Sequence, residues 1–191
     1  PSGAGKTSLA RIISADISGY RGRLVLRDIR TVLYSYNTER LPGWSSIGNV
    51  LKQITPSGRG PLLEELVRVF ALDNLLDSRF PQLSMGQQNR VNLIRYLVQD
   101  FDLLILDESL ANVDEQLRRT VILHIKERFP EKMFLSISHN LMEVAAYCRE
   151  ILVLGSGKNI QGLDGQRDTE QDIISERKKP DAVMLEIMNA C

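Results

Sequence analysis

A lysine set behind a glycine-rich loop is the first chemistry this sequence offers. Pro1-Ser2-Gly3-Ala4-Gly5-Lys6-Thr7-Ser8 matches all but the first position of GxxxxGK(S/T), whose leading Gly falls one residue before the chain begins. Glycines in such a loop let successive backbone N–H groups turn inward around phosphate oxygens, and the following helix offers its positive N-terminal end to the same anion. Lys6 would reach the terminal phosphates, and the Thr7 hydroxyl would ligate Mg2+. The plainer reading is a glycine-rich turn before a helix with an incidental Lys-Thr. The second candidate is Phe101-Asp102-Leu103-Leu104-Ile105-Leu106-Asp107-Glu108, which puts two carboxylates just past an apolar strand, where ligands sit in open α/β sheets. Asp107 suits a Mg2+ ligand acting through water. Glu108 suits a general base for water attacking a phosphoryl group, a role worth about 10²–10⁴ in rate. A solvated acidic turn is the alternative.

These groups need a scaffold, and strand-like apolar runs alternating with helical ones argue an α/β sheet with helices on its faces. Strands are expected at Arg23–Leu26, Thr31–Tyr34, Phe101–Leu106, Met133–Ser138 and Ile151–Leu154, and helices at Lys6–Ala15, Leu62–Ala71, Gln87–Val98, Glu115–Phe129, Leu141–Cys148 and Asp181–Cys191. The uninterrupted Leu103–Leu106 run predicts a central strand buried on both faces. Residues 35–100 have helical but little strand character, which reads as an inserted helical lobe.

Composition excludes several classes. With 43% hydrophobic and 25% charged among 191 residues, the chain is neither disordered nor fibrous. Its length suffices to bury roughly 70% of the unfolded surface. Lys plus Arg and Asp plus Glu each number 24, so no global field draws it to nucleic acid or an anionic membrane. No apolar run approaches the ~20 residues of a membrane span, and no signal peptide opens the chain. Cys148 and Cys191 form neither a disulfide framework nor a metal spacing, which fits a reducing cytoplasm.

Leu83-Ser84-Met85-Gly86-Gln87-Gln88-Asn89-Arg90-Val91 resembles the LSGGQ signature followed by QR that marks ATP-binding cassette (ABC) ATPases. Taken alone, it also reads as a Ser-started helix with a Gly near its cap. The resemblance extends in the family's order through Asp107-Glu108, then Ser109-Leu110-Ala111-Asn112-Val113-Asp114, similar to the D-loop, and Ser138-His139-Asn140, similar to the switch histidine. It implies a P-loop NTPase fold, α/β with a mostly parallel sheet flanked by helices and an inserted helical subdomain at about 42–95. It further implies an ATPase using ATP and Mg2+ on Ser2, Gly3, Ala4, Gly5, Lys6, Thr7 and Ser8, with Thr7 and Asp107 at the metal and Glu108 and His139 catalytic. Two subunits, a homodimer or a pair of ABC ATPases, would face head to tail, with Ser84, Met85, Gly86 and Gln87 of one completing the γ-phosphate shell of the other. His124 has no such context and reads as helix packing.

Tyr36-Asn37-Thr38-Glu39-Arg40-Leu41-Pro42-Gly43-Trp44 resembles the Q-loop FQxPRLLPW of importer ATPases, with Asn37 where the family carries Gln. As a cofactor-binding candidate Asn37 keeps the amide but is one methylene shorter, roughly 1.5 Å less reach, predicting weak or no metal ligation and slower turnover or altered coupling. Met85 replaces the first signature Gly; its backbone amide survives. Because it begins at Pro1, the chain is expected to be a fragment without the family's N-terminal strands and adenine-stacking aromatic. The resemblance thus implies an importer ATPase, with Arg40, Leu41 and Trp44 suggesting the nitrate, sulfonate and taurine type. It would be cytoplasmic and peripheral on the inner membrane's cytoplasmic face, powering a transmembrane permease without binding nucleic acid directly. The alternatives are a soluble ABC ATPase of DNA maintenance or translation, and a weakly hydrolysing ATP switch.

Overall fold

Apolar residues without polar interruption build the strand that carries the two candidate carboxylates. In the computed structural model, which describes residues 4–37, 39–154, 160–165 and 184, the elements run in chain order. They are α1 (Lys6–Ile13), β1 (Val32–Tyr36), α2 (Ile47–Ile54), α3 (Gly60–Val69), α4 (Met85–Leu97), β2 (Leu103–Asp107), α5 (Glu115–Arg128), β3 (Met133–Ile137), α6 (Leu141–Tyr147), β4 (Glu150–Leu154) and β5 (Ile160–Asp164). The chain divides into two units, Ala10–Ser136 and the combination of Pro1–Leu9 with Ile137–Cys191.

In the first unit β2 is the middle strand of the order β1-β2-β3, and β1 runs parallel to it with Tyr34 opposite Ile105 and Tyr36 opposite Asp107. Leu103, Leu104 and Ile105 are buried, as a strand covered on both faces requires. Leu104 shares one core with Leu51 of α2, Leu66 of α3, Ile94 of α4 and Val121 of α5. The fold class expected from the alternating pattern is therefore the one observed: a parallel sheet with helices packed on it.

One expected element is absent here, and one helix is additional. Arg23–Leu26 forms no strand; Val25 is 52% exposed, and without a neighbouring strand a short β-rich run has nothing to pair with. Conversely, α2 was not expected, because Gly48 in its first turn hides an apolar face at Ile47, Val50, Leu51 and Ile54. That glycine is demanded by packing, since a Cβ there would lie 3.0 Å from the Leu76 carbonyl oxygen. Ser46 caps the helix by accepting from the Asn49 N–H.

Asp102 fastens β1 to the start of β2. Its Oδ2 accepts from the backbone N–H groups of Arg30 at 2.8 Å and Thr31 at 2.9 Å. The Thr31 and Arg30 N–H groups, in that order of weight, hold its carboxyl below the usual aspartate range. A depressed folded-state value means the stabilisation is complete above the ordinary carboxylate value, about pH 4, and fades as the pH falls through it. The expected result is an Asp102→Asn variant with a lower thermal midpoint at pH 7, the gap to wild type narrowing below about pH 4. Parallel curves at all pH values would contradict it.

In the second unit β4 and β5 pair antiparallel, and Ala145, Ile151 and Val153 form a small core with Leu163 and Met184 packed beside them. The strand β5 was not expected from its polar sequence. Of the helix expected at Asp181–Cys191, all but Met184 lies outside the described residues.

Candidate functional site

Gly5 holds φ at +88°, a left-handed conformation that glycine adopts without strain. The chain then turns into α1, and the Leu9 N–H bonds the Gly5 carbonyl at 2.9 Å. Lys6, Thr7 and Ser8 therefore occupy the first helical turn, where backbone N–H groups have no carbonyl of their own helix to bond and anions are favoured. Pro1, Ser2 and Gly3 lie outside the described residues.

At the end of β2, Asp107 is 9% exposed and its Oδ2 accepts from the Tyr34 hydroxyl at 2.9 Å. Burial, and then the hydrogen bond and charge of Asp107, push the Tyr34 phenol well above the ordinary tyrosine range, so it is a protonated donor at neutral pH. Glu108 sits at φ +53°, a conformation a non-glycine residue holds only when its surroundings impose it. The constraint is visible on its neighbour, for the buried Ser109 hydroxyl lies 2.9 Å from the Ser35 carbonyl oxygen and 3.0 Å from the Ser35 hydroxyl. Asn37 Nδ2 donates to Glu108 Oε2 at 3.4 Å, so the shortened amide meets the candidate base.

Hard oxygen donors suit Mg2+, which takes one or two carboxylates, keeps several waters and completes its shell with substrate phosphates. The buried carboxylate of Asp107 is a donor of that kind, and so, in the other unit, is the Thr7 hydroxyl. Among the described residues no three His, Cys, Asp or Glu side chains gather into an all-protein cage.

Ser84 is the N-cap of α4. Its hydroxyl accepts from the Gln87 N–H, while the Gln87 side chain accepts from the Ser84 N–H at 2.8 Å, a reciprocal capping box. The hydroxyl retains a hydrogen to donate. Gly86 is packed so tightly that a Cβ would fall 2.1 Å from the Asn112 carbonyl oxygen. Asn89 Nδ2 donates to the Ala111 carbonyl at 2.7 Å, and Asn112 Nδ2 reaches Met85 Sδ at 3.8 Å. The signature and the D-loop-like segment are thus one packed assembly, with Asn112 turned at φ +61° and Asp114 capping α5. Met85 is 54% exposed, so its side chain needs no cavity in the core.

The loop after Asn37 is tied to α4. Arg95 and the Tyr96 hydroxyl both bind the Glu39 carboxylate, the latter at 2.8 Å; Asn92 Nδ2 holds the Glu39 carbonyl at 3.0 Å, and Arg40 bonds Gln88 at 2.7 Å. Sequence reading missed Tyr34, Glu39, Asn92, Arg95 and Tyr96 as parts of the site. No local spacing announces them, because the contacts that draw them together join residues 53 to 73 apart in the chain.

His124 contributes to helix packing through a polar contact, its Nε2 lying 2.8 Å from Glu65 Oε1 on α3. In the second unit His139 lies between β3 and α6, exposed, beside Asn140, which caps α6 and whose N–H bonds the Ser138 hydroxyl at 3.0 Å.

A phosphate loop opening a helix, on an α/β chain whose central parallel strand ends in adjacent carboxylates, defines a P-loop nucleotide-binding domain. Residues 1–111 match the sequence profile of the ABC transporter family, and the chain belongs to that family. It is 33% identical to the molybdenum import ATP-binding protein ModC of Photorhabdus laumondii, over 82% of this chain and 49% of that protein. To the spermidine/putrescine import ATP-binding protein PotA of Photobacterium profundum it is 28% identical, over 90% of this chain and 50% of that protein. The chain thus spans about half the length of these curated relatives. Among solved structures, a bacterial Atm1-family ABC exporter with ATP bound superposes with a TM-score of 0.73 at 20% identity, covering 86% of this chain and 32% of that one. A putative metal-chelate type ABC transporter gives 0.69 at 16%, covering 86% and 69%. Both likenesses concern the fold. Among the described residues, no helix is long and apolar enough to cross a membrane.

Proposed function

We infer that this chain is the ATP-hydrolysing part of an ABC importer, working as one of two head-to-tail subunits on a transmembrane permease at the cytoplasmic face of the inner membrane. The observation that carries the reading is the end of β2, where a buried Asp107 and a conformationally constrained Glu108 are each met by a donor from β1 or the residue after it. ATP is the substrate. Lys6 and the N–H groups of the first turn of α1 bind its phosphates. Thr7 and Asp107 would hold Mg2+, which would supply charge neutralisation on the phosphates. Glu108 takes a proton from water as its oxygen bonds the γ-phosphorus and the bond to the bridging oxygen breaks, releasing ADP and phosphate. Ser84, with the N–H groups of Met85 and Gly86, completes the γ-phosphate shell from the opposite subunit, and His139 orients the water.

The import function rests on the Q-loop pattern of Asn37, Arg40, Leu41 and Trp44, and on relatives that are import ATP-binding proteins. Arg40, Leu41 and Trp44 point to the nitrate, sulfonate and taurine type, whereas the relatives named above import molybdenum or polyamines. Trp44, 81% exposed on this loop, is available to a partner.

Lys6→Ala tests the binding half of this reading. Loss of the lysine contact to the phosphates is expected to weaken ATP at least tenfold in titration calorimetry, the energy of one charge-assisted hydrogen bond. Equal affinity in wild type and variant would overturn the phosphate-loop assignment.

A further inference from the structure

We propose that Tyr34 is a positioning residue: by donating to Asp107 Oδ2 at 2.9 Å it fixes the rotation of that carboxylate and so sets how tightly the nucleotide site takes Mg2+. The inference rests on the functional reading above and adds to it a residue outside every motif in the sequence.

The placement follows from strand register. Tyr34 stands opposite Ile105, and Ile105 and Asp107 point to the same face of β2, so Tyr34 reaches Asp107 along the diagonal to the next residue on that face. A phenol can span this distance where a shorter side chain cannot. Tyr34 is itself constrained, half-buried in a strand with its ring centroid 5.6 Å from that of Tyr36 at a 35° tilt. Its hydroxyl therefore reaches Asp107 from a fixed point.

The terminal torsion of an aspartate is broad, so the side chain alone does not fix which oxygen faces a ligand. A donor held by the sheet removes that freedom. Outer partners of metal-binding carboxylates commonly contribute 10–100-fold in metal affinity by this means. Withdrawal of carboxylate charge by the same hydrogen bond works against metal binding. The net direction follows the usual effect of losing such an outer partner, which weakens metal binding.

Tyr34→Phe removes only the oxygen and leaves the ring beside Tyr36. In the full-length protein, a fluorescent ATP analogue titrated with and without Mg2+ separates the roles. The expected result is unchanged affinity without Mg2+, with the half-saturating Mg2+ concentration raised about tenfold. An Asp107→Asn background should abolish that difference, since the two residues act as one unit. A Tyr34→Phe protein with wild-type Mg2+ dependence overturns the proposal and leaves the functional reading standing. Equal weakening with and without Mg2+, accompanied by a lower thermal midpoint, also overturns it by showing a merely structural role. Wild-type protein whose nucleotide binding ignores Mg2+ overturns the functional reading and the proposal together.

Discussion

Replacing Glu108 with Gln is expected to lower phosphate release at least 100-fold while leaving ATP binding intact. Glutamine keeps length, shape and an oxygen able to accept from Asn37 Nδ2, so the contact at 3.4 Å survives. It cannot take a proton from water, and loss of a general base typically costs 10²–10⁴ in rate. The left-handed backbone at φ +53° strains both side chains alike, so stability should not change appreciably. Since hydrolysis would end the ATP-bound state, the variant should accumulate as a dimer when ATP is supplied. Single-turnover phosphate release and gel filtration with and without ATP check the two parts. An unchanged rate refutes the base assignment.

Gly86→Ala should have the next largest effect, this time through packing. A methyl group there meets the Asn112 carbonyl oxygen at 2.1 Å and its carbonyl carbon at 3.0 Å, both backbone atoms that cannot turn aside. The start of α4 and the Asn112 loop must separate, at a cost of about 1–3 kcal/mol in stability. Because the same movement displaces Ser84 and Met85, turnover should also fall at least tenfold, the rate equivalent of about 1.4 kcal/mol. Gly60→Ala is the control, with no atom within 4 Å of its Cβ. Urea unfolding and phosphate release for the two variants should diverge. Identical midpoints would show that the Gly86 contact is absent in solution.

What could be read from the sequence was what local spacing records. The helix beginning at Lys6, the Leu103–Leu106 strand and the helix after the signature each depend on neighbours within a few residues, and each is found close to where it is expected. Long-range contacts left no such trace. Tyr34 reads as one more β-forming residue until parallel pairing sets it diagonal to Asp107. Glu39 reads as a loop charge until Arg95 and Tyr96 enclose its carboxylate. Arg23–Leu26 failed for the opposite reason, since β propensity without a neighbouring strand does not make a sheet. Asn37 combines both lessons, for its type announced a shorter reach, while its position against Glu108 could come only from the fold.

Donors on β1 and just after it meet both carboxylates at the end of β2, so the loop that carries Asn37 also touches the carboxylate end of the sheet. Through Glu39 and Arg40 the same loop grips α4, whose first turn carries the signature. A movement imposed on that loop would therefore reach Glu108 and α4 together, the route by which the proposed coupling to a membrane partner would act.

Steady-state phosphate release from the full-length protein, over a wide range of protein concentration, tests whether MgATP hydrolysis is shared between two subunits. If each site is completed by Ser84 of the opposite subunit, the rate per mole of protein should rise with concentration toward a plateau. A rate per mole that stays constant down to the most dilute sample, or no MgATP-dependent phosphate release at any concentration, would contradict it.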